Sequence, residues 1–88
     1  MSTIYGLAYS KDALAFLKAC PAKHRKQVIK KIDALMSDPH PAHRKLVQAM
    51  GEDEQVWRVR SGDYRVLYVV RDVSIVILDI DHRKDVYR

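Results

Sequence analysis

The stretch Trp57-Arg58-Val59-Arg60-Ser61-Gly62-Asp63-Tyr64-Arg65-Val66-Leu67-Tyr68 constrains the fold of this chain more than any other segment. Two runs that alternate apolar and polar residues flank a Gly-Asp pair. A period of two marks a strand with one buried face, and a Gly-containing two-residue link between such runs marks a β-hairpin. With Gly62 and Asp63 as the loop, Ser61 pairs with Tyr64 and Arg60 lies opposite Arg65. Arg58 falls on the same face, whereas Trp57, Val59, Val66 and Tyr68 share the other, an ordinary hydrophobic core face. The arginine face is less ordinary. Like charges directly opposite one another destabilise a sheet, and the planar guanidinium fork suits bidentate contact with phosphate. Each arginine taken singly reads as a residue that keeps a sheet soluble. Three on one face, with Asp63 as the one nearby strand acid, point to an anion site.

The rest of the chain supplies a small frame around that hairpin. Thr3 to Tyr9 reads as a first strand, with Ile4 and Tyr5 as β formers. Ser10 is an N-cap residue and Asp12 falls in the first turn of a helix. Ala13, Leu14, Leu17 and Cys20 form its apolar stripe. Pro21 suits the start of a second helix, running to Ser37, in which Val28, Ile32, Leu35 and Met36 recur on one face. Asp38-Pro39-His40-Pro41 ends it. His43 to Met50 have no clear period, with Leu46 and Val47 expected against the core. Gly51 to Glu54 read as a turn, Arg71-Asp72 as another, and Val73 to Asp81 as a strand that is apolar on both parities. The expected class is α+β, in the order βααβββ: a small, mainly antiparallel sheet with a helical hairpin on one face and the arginines on the other.

With 88 residues, positions 1–88 read as one domain with a single core. A net charge of +5 favours a polyanionic partner. Lys23, Arg25, Lys26, Lys30 and Lys31 occupy much of the polar surface of the second helix, a solvated face or a surface for RNA phosphates. The single cysteine, Cys20, rules out an intrachain disulfide and gives no sign of an oxidising compartment. No leader-like n- and h-regions open the sequence and no apolar run spans a bilayer, so a cytoplasmic, membrane-free protein is expected. His40 and His43, spaced i and i+3 without a cysteine pair or acidic cluster, do not make a metal site, and no glycine-rich phosphate loop is present.

The segment "WRVRSGDYRVLY", the following strand and the ending "DHRKDVYR" resemble the RelE/ParE superfamily of bacterial toxins from toxin–antitoxin pairs, most of all its RelE-like branch. The resemblance covers nearly the whole chain: a strand, two helices, an Arg44-Lys45-Leu46 segment and three strands. It implies a ribosome-dependent mRNA endonuclease, an mRNA interferase that uses no metal ion or cofactor. In such enzymes a ribose 2′-OH attacks its own 3′-phosphate, leaving a cyclic phosphate and a free 5′-OH. The family pattern places Arg65 on the scissile phosphate and Arg58 beside it. A further basic position in some members is Val56 here, for which Arg60 or Lys45 can compensate. Arg83 and Tyr87 match the family's acid–base pair near the chain end, and His82 matches the terminal histidine of some relatives. The implied partners are a RelB-like cognate antitoxin, the ribosome, and its mRNA and rRNA, with the toxin a monomer inside a toxin–antitoxin hetero-oligomer. Two alternatives share the fold: a ParE-like inhibitor of DNA gyrase, and a non-catalytic RNA- or protein-binding member. Fold alone does not choose among them.

Overall fold

The hairpin forms in the expected register. In the computed structural model, which describes residues 4–50 and 54–82, Ser61 pairs with Tyr64, Arg60 with Arg65 and Val59 with Val66. Gly62 takes φ 60°, the left-handed conformation that a two-residue hairpin link needs at its first position. The strands joined by this link are β3, Glu54–Ser61, and β4, Tyr64–Arg71. They are flanked in sequence by β1 (Gly6–Tyr9), α1 (Lys11–Ala19), α2 (Ala22–Leu35), β2 (Lys45–Met50) and β5 (Ser74–His82). The sheet order is β1-β5-β4-β3-β2, with β1 parallel to β5 and every other pair antiparallel. The α+β class and the helical hairpin on one face match the sequence expectation. The sheet has one strand more than expected, because residues 45–50 pair with β3. As an outermost strand β2 has a neighbour on one side only. Leu46 and Val47 are therefore 50% and 47% exposed instead of packed in the core. Of the expected turn from Gly51 to Glu54, residues 51–53 lie outside the described residues, and Glu54 belongs instead to the start of β3.

Local chemistry explains the helical hairpin. Ser10 Oγ accepts the Ala13 N–H at 3.0 Å, an N-cap bond, and donates to the Leu78 carbonyl at 2.6 Å, which ties the start of α1 to β5. At the other end of α1, the Arg25 guanidinium donates to the carbonyls of Leu17 and Cys20, both at 2.8 Å. These bonds satisfy carbonyls that a helix terminus leaves without partners. Pro21, which has no N–H to lose, caps α2. The end of α2 is tied to the first strand where the Met36 carbonyl accepts the Tyr5 N–H at 3.0 Å. Ala13, Leu17, Val28, Ile32 and Leu35 face Val59, Val66, Tyr68, Ile75, Ile77 and Ile80 across a single core.

β5 changes face part-way along. Tyr68 pairs with Ile77 but Leu67 pairs with Asp79, so Leu78 is an extra residue in the ladder. Such a bulge resets the alternation of side chains. Before it, Ile75 and Ile77 point to the core. After it, Ile80 does so, and Asp79 and Asp81 are turned to the face away from the helices.

Tyr68 anchors the loop after α2 to the core. Its ring is fully buried and its hydroxyl donates to the Pro39 carbonyl at 2.8 Å. Burial pushes the phenol pKa up to about 12; Arg44 opposes the shift and Asp38 adds to it. In the unfolded chain a tyrosine titrates near pH ~10. The folded state therefore holds this proton more tightly, so the stabilisation is complete below about pH 10 and is lost as pH rises through the folded value. Tyr68→Phe should be less stable than wild type by about 1 kcal/mol at neutral pH, through the lost hydrogen bond. In urea unfolding at stepped pH, that deficit should shrink above about pH 10 and reverse within about one pH unit, well before the folded value is reached.

Candidate functional site

The sheet face away from the helices carries the charged residues of β2 to β5. Lys45 is paired with Arg58, and Arg60 with Arg65, so period-two alternation brings all four to this face. Val56 and Val69, at 5% and 0% exposure, supply its apolar floor. Val56 thus places packed hydrocarbon at the position where the sequence resemblance suggested a further cation.

Acids from neighbouring strands neutralise both ends of the face. Asp81 accepts from Arg65 Nε at 2.9 Å and Nη2 at 3.0 Å, a bidentate pair in which the arginine side chain is only 11% exposed. The expectation that Asp63 was the one nearby acid is thereby corrected; the bulge at Leu78 presents Asp81 to Arg65. At the opposite end Arg71 Nη2 lies 2.7 Å from Glu54. The hydrogen bond from Arg71 holds the Glu54 carboxyl below its usual range and raises the Arg71 guanidinium correspondingly. Between these pairs, His43, Lys45, Arg58 and Arg60 line a cleft of about 170 Å³. The net positive charge of the face is concentrated there.

Arg60 also borders a broader groove of about 460 Å³ toward α2, shared with Gln27, Lys30, Lys31, Ser61 and Gly62. On α2 itself, Lys23, Lys26 and Lys30 are exposed and Lys31 is half-buried. Arg25 differs from these lysines. Its guanidinium is engaged with the α1 carbonyls, so this residue closes the helical hairpin.

His82 is on the other side of the sheet. It pairs with Tyr64, and its ring meets the Tyr64 ring edge-on at a centroid distance of 4.8 Å. Phe16 and His24 approach the same tyrosine at 5.7 and 5.4 Å. The structure therefore brings Lys45, Arg58 and Arg60 together, holds Arg65 beside them on Asp81, and separates His82 from all four by the thickness of the sheet. Arg83 and Tyr87 lie outside the described residues. Cys20 is buried at the α1–α2 corner, as its place in the apolar stripe suggested. Among the described residues, no group of three or more His, Cys, Asp or Glu side chains gathers as a metal site would, and no helix is long and apolar enough to cross a membrane.

His43, weighed from sequence only as a metal ligand, and Asp81 were not expected beside the arginines. His43 lies in a segment without clear period, though its place two residues before Lys45 was a usable hint. Asp81 required the bulge, which leaves no mark in a strand that is apolar on both parities.

Comparison with known proteins places these features in a family. Residues 7–87 match the model of the ParE toxin of the type II toxin–antitoxin system parDE. The chain is 30% identical over 86 residues to RelE1 of Methanocaldococcus jannaschii, named as a toxin candidate, and the match covers 96% of each chain. Among solved structures it resembles the RelE–RelB complex of Pyrococcus horikoshii, with TM-score 0.78, 29% identity, and 91% of this chain and 96% of that one covered. The RelBE2 toxin–antitoxin complex of Mycobacterium tuberculosis gives TM-score 0.76 at 25% identity, covering 92% and 93% of the two chains.

The Arg65–Asp81 pair is the best-formed polar contact of the face, and its loss leaves a largely buried guanidinium without its acceptor. Asp81→Ala should lower stability by about 1–3 kcal/mol, the range for leaving a buried hydrogen-bonding group without its partner. Arg65→Lys should recover little of the contact, because an ammonium cannot make the two-pronged bond. Urea unfolding midpoints of both variants check this.

Proposed function

The chain belongs to the RelE/ParE superfamily, the toxins of type II toxin–antitoxin systems, and from that premise we propose that it is a ribosome-dependent mRNA endonuclease that inhibits translation. The observation that carries the reading is the cleft of Lys45, Arg58 and Arg60 on the face left uncovered by the helices. A phosphodiester held there faces three cations. Attack of the ribose 2′-OH on the adjacent phosphate adds negative charge to the phosphoryl oxygens, and preorganised cations favour that state over the ground state. Lys45, Arg58 and Arg60 bind the phosphate. Arg65 is held in place by Asp81 through Nε and Nη2, and a guanidinium has further donors to offer a phosphate from Nη1. By family pattern Arg83 and Tyr87 take part in proton transfer. His82, across the sheet, is less well placed for it. The reaction as proposed needs no metal ion or cofactor.

Lys23, Lys26, Lys30 and Lys31 provide the surface for ribosomal RNA. The Pyrococcus and Mycobacterium structures are complexes with an antitoxin, which supports a RelB-like antitoxin as the partner that restrains this chain, a single toxin copy meeting it within a hetero-oligomer in the cytoplasm.

A second reading has one specific observation in its favour: the matching family model is that of the ParE toxin. A gyrase poison would use the same basic surface for binding alone. Primer extension on mRNA translated in the presence of the protein, run beside a gyrase supercoiling assay, separates the two. New 5′ ends within codons with unimpaired supercoiling support the nuclease; intact mRNA with blocked supercoiling supports the gyrase reading.

Arg58→Ala and Arg60→Ala should each slow single-turnover cleavage on the order of a hundredfold, about 3 kcal/mol of transition-state stabilisation, with little change in unfolding midpoint. In ribosome co-sedimentation across a salt series, Lys26→Ala and Lys30→Ala should each reduce the slope of log affinity against log salt by roughly 0.7–0.9. Arg25→Ala should do the reverse, losing about 1–2 kcal/mol of stability through its helix-capping bonds while leaving the slope near that of wild type.

A further inference from the structure

Of the four side chains that line the cleft, three can only donate. Lysine and arginine hold their protons at neutral pH and offer no acceptor. They can neutralise a phosphate but cannot accept the proton of a ribose hydroxyl. The fourth is His43, and histidine is the side chain that both accepts and releases a proton near neutrality.

The position of His43 is set by anchors on both sides. The Pro41 carbonyl accepts the Arg44 N–H at 3.0 Å, closing a tight turn around His43. The Arg44 guanidinium then lies 3.9 Å from the centroid of the Trp57 ring. Lys45, next in sequence, pairs with Arg58. Before the turn, Pro39 is fixed by the Tyr68 hydroxyl and Asp38 Oδ1 accepts the His40 N–H at 3.1 Å. The charged groups around the imidazole are therefore Lys45, Arg58 and Arg60 in the cleft, and Lys31 and Asp38 in the neighbouring cavity beneath α2, which His43 also lines. Other candidates on the described chain are less suitable. His82 is on the opposite face, against Tyr64. The Tyr68 hydroxyl is committed to Pro39 within the core.

We propose that His43 is the general base of the cleft, taking the 2′-OH proton of the RNA substrate held by Lys45, Arg58 and Arg60. This rests on the nuclease reading and deepens it. An imidazole nitrogen removes the proton as O2′ bonds to phosphorus. The P–O5′ bond breaks, its electron pair leaves on O5′, and O5′ takes a proton from a general acid or from water. The products are a 2′,3′-cyclic phosphate and a 5′-hydroxyl, with no change in oxidation state. His43 is exposed on a turn, so replacing it does not open a cavity in the core.

The test is single-turnover cleavage on mRNA-programmed ribosomes between about pH 5 and 8, the range in which histidine titrates. The wild-type rate should rise over that range and level off. His43→Ala should be roughly 10²- to 10⁴-fold slower, should lose the rising limb, and should recover part of the rate when free imidazole is added. Ribosome binding and unfolding midpoint should match wild type. If His43→Ala cleaves at the wild-type rate with the same pH profile while Arg58→Ala is slow, the His43 assignment is wrong and the nuclease reading stands. A slow His43→Ala that keeps the limb and ignores imidazole also overturns it, as does loss of the limb in Tyr87→Phe alone. If the wild-type protein leaves ribosome-bound mRNA uncut, both the assignment and the nuclease reading fall.

Discussion

The pairing of β4 with β5 decides what each face of the sheet presents. One extra residue, Leu78, lets Ile75 and Ile77 enter the core from one half of β5 and Ile80 from the other. Without that reset, strict alternation from Ile77 would carry Asp79 and Asp81 into an apolar core, where unpaired carboxylates are costly. With it, both aspartates reach the opposite face and Asp81 meets Arg65. The same step turns His82 toward Tyr64 and the helices. A single backbone irregularity thus separates an aromatic cluster on one side of the sheet from an electrostatic surface on the other.

That surface is neutral at its ends and positive in its middle. Arg65 and Arg71 are each satisfied by a carboxylate from an adjacent strand, whereas Lys45, Arg58 and Arg60 gather around a cleft. A sheet could not hold five cations this close without cost, since like charges opposite one another are unfavourable. The acids relieve the repulsion where it would oppose folding and leave it where a phosphate can relieve it instead. Arg60, shared by the cleft and the groove toward α2, makes the two concave regions adjacent.

Family membership and geometry contribute differently to the functional reading. Membership makes this chain a toxin of a type II system, but nuclease and gyrase poison are two readings of the same architecture, which does not by itself choose between them. The chemistry of the cleft is what gives the nuclease reading physical content. Cations for a phosphate and an imidazole for a hydroxyl proton are the elements that 2′-OH attack requires.

Sequence alone determined the parts of this protein that rest on local periodicity. The β3–β4 hairpin follows from strict alternation around Gly62-Asp63, and its register follows once those two residues are taken as the whole loop, because side chains on a strand change face at every residue. A three-residue loop would have reversed the parity, and the pairing of Ser61 with Tyr64 excludes it. The two helices, the Ser10 cap and the proline boundary between them follow from capping chemistry and apolar spacing. From these came the α+β class and the shared face of Arg58, Arg60 and Arg65. Tertiary structure decided whatever depended on pairing between distant segments. Residues 45–50 became a strand only because the outer edge of β3 was there to bond them, since their own period is ambiguous. Lys45 and His43 joined the arginines through that pairing. Arg25, one basic residue among five on α2, became a cap because the end of α1 lies beside it. Asp81 found Arg65 because of a bulge, and an extra residue in a strand that is apolar on both parities leaves no trace in the order of its side chains.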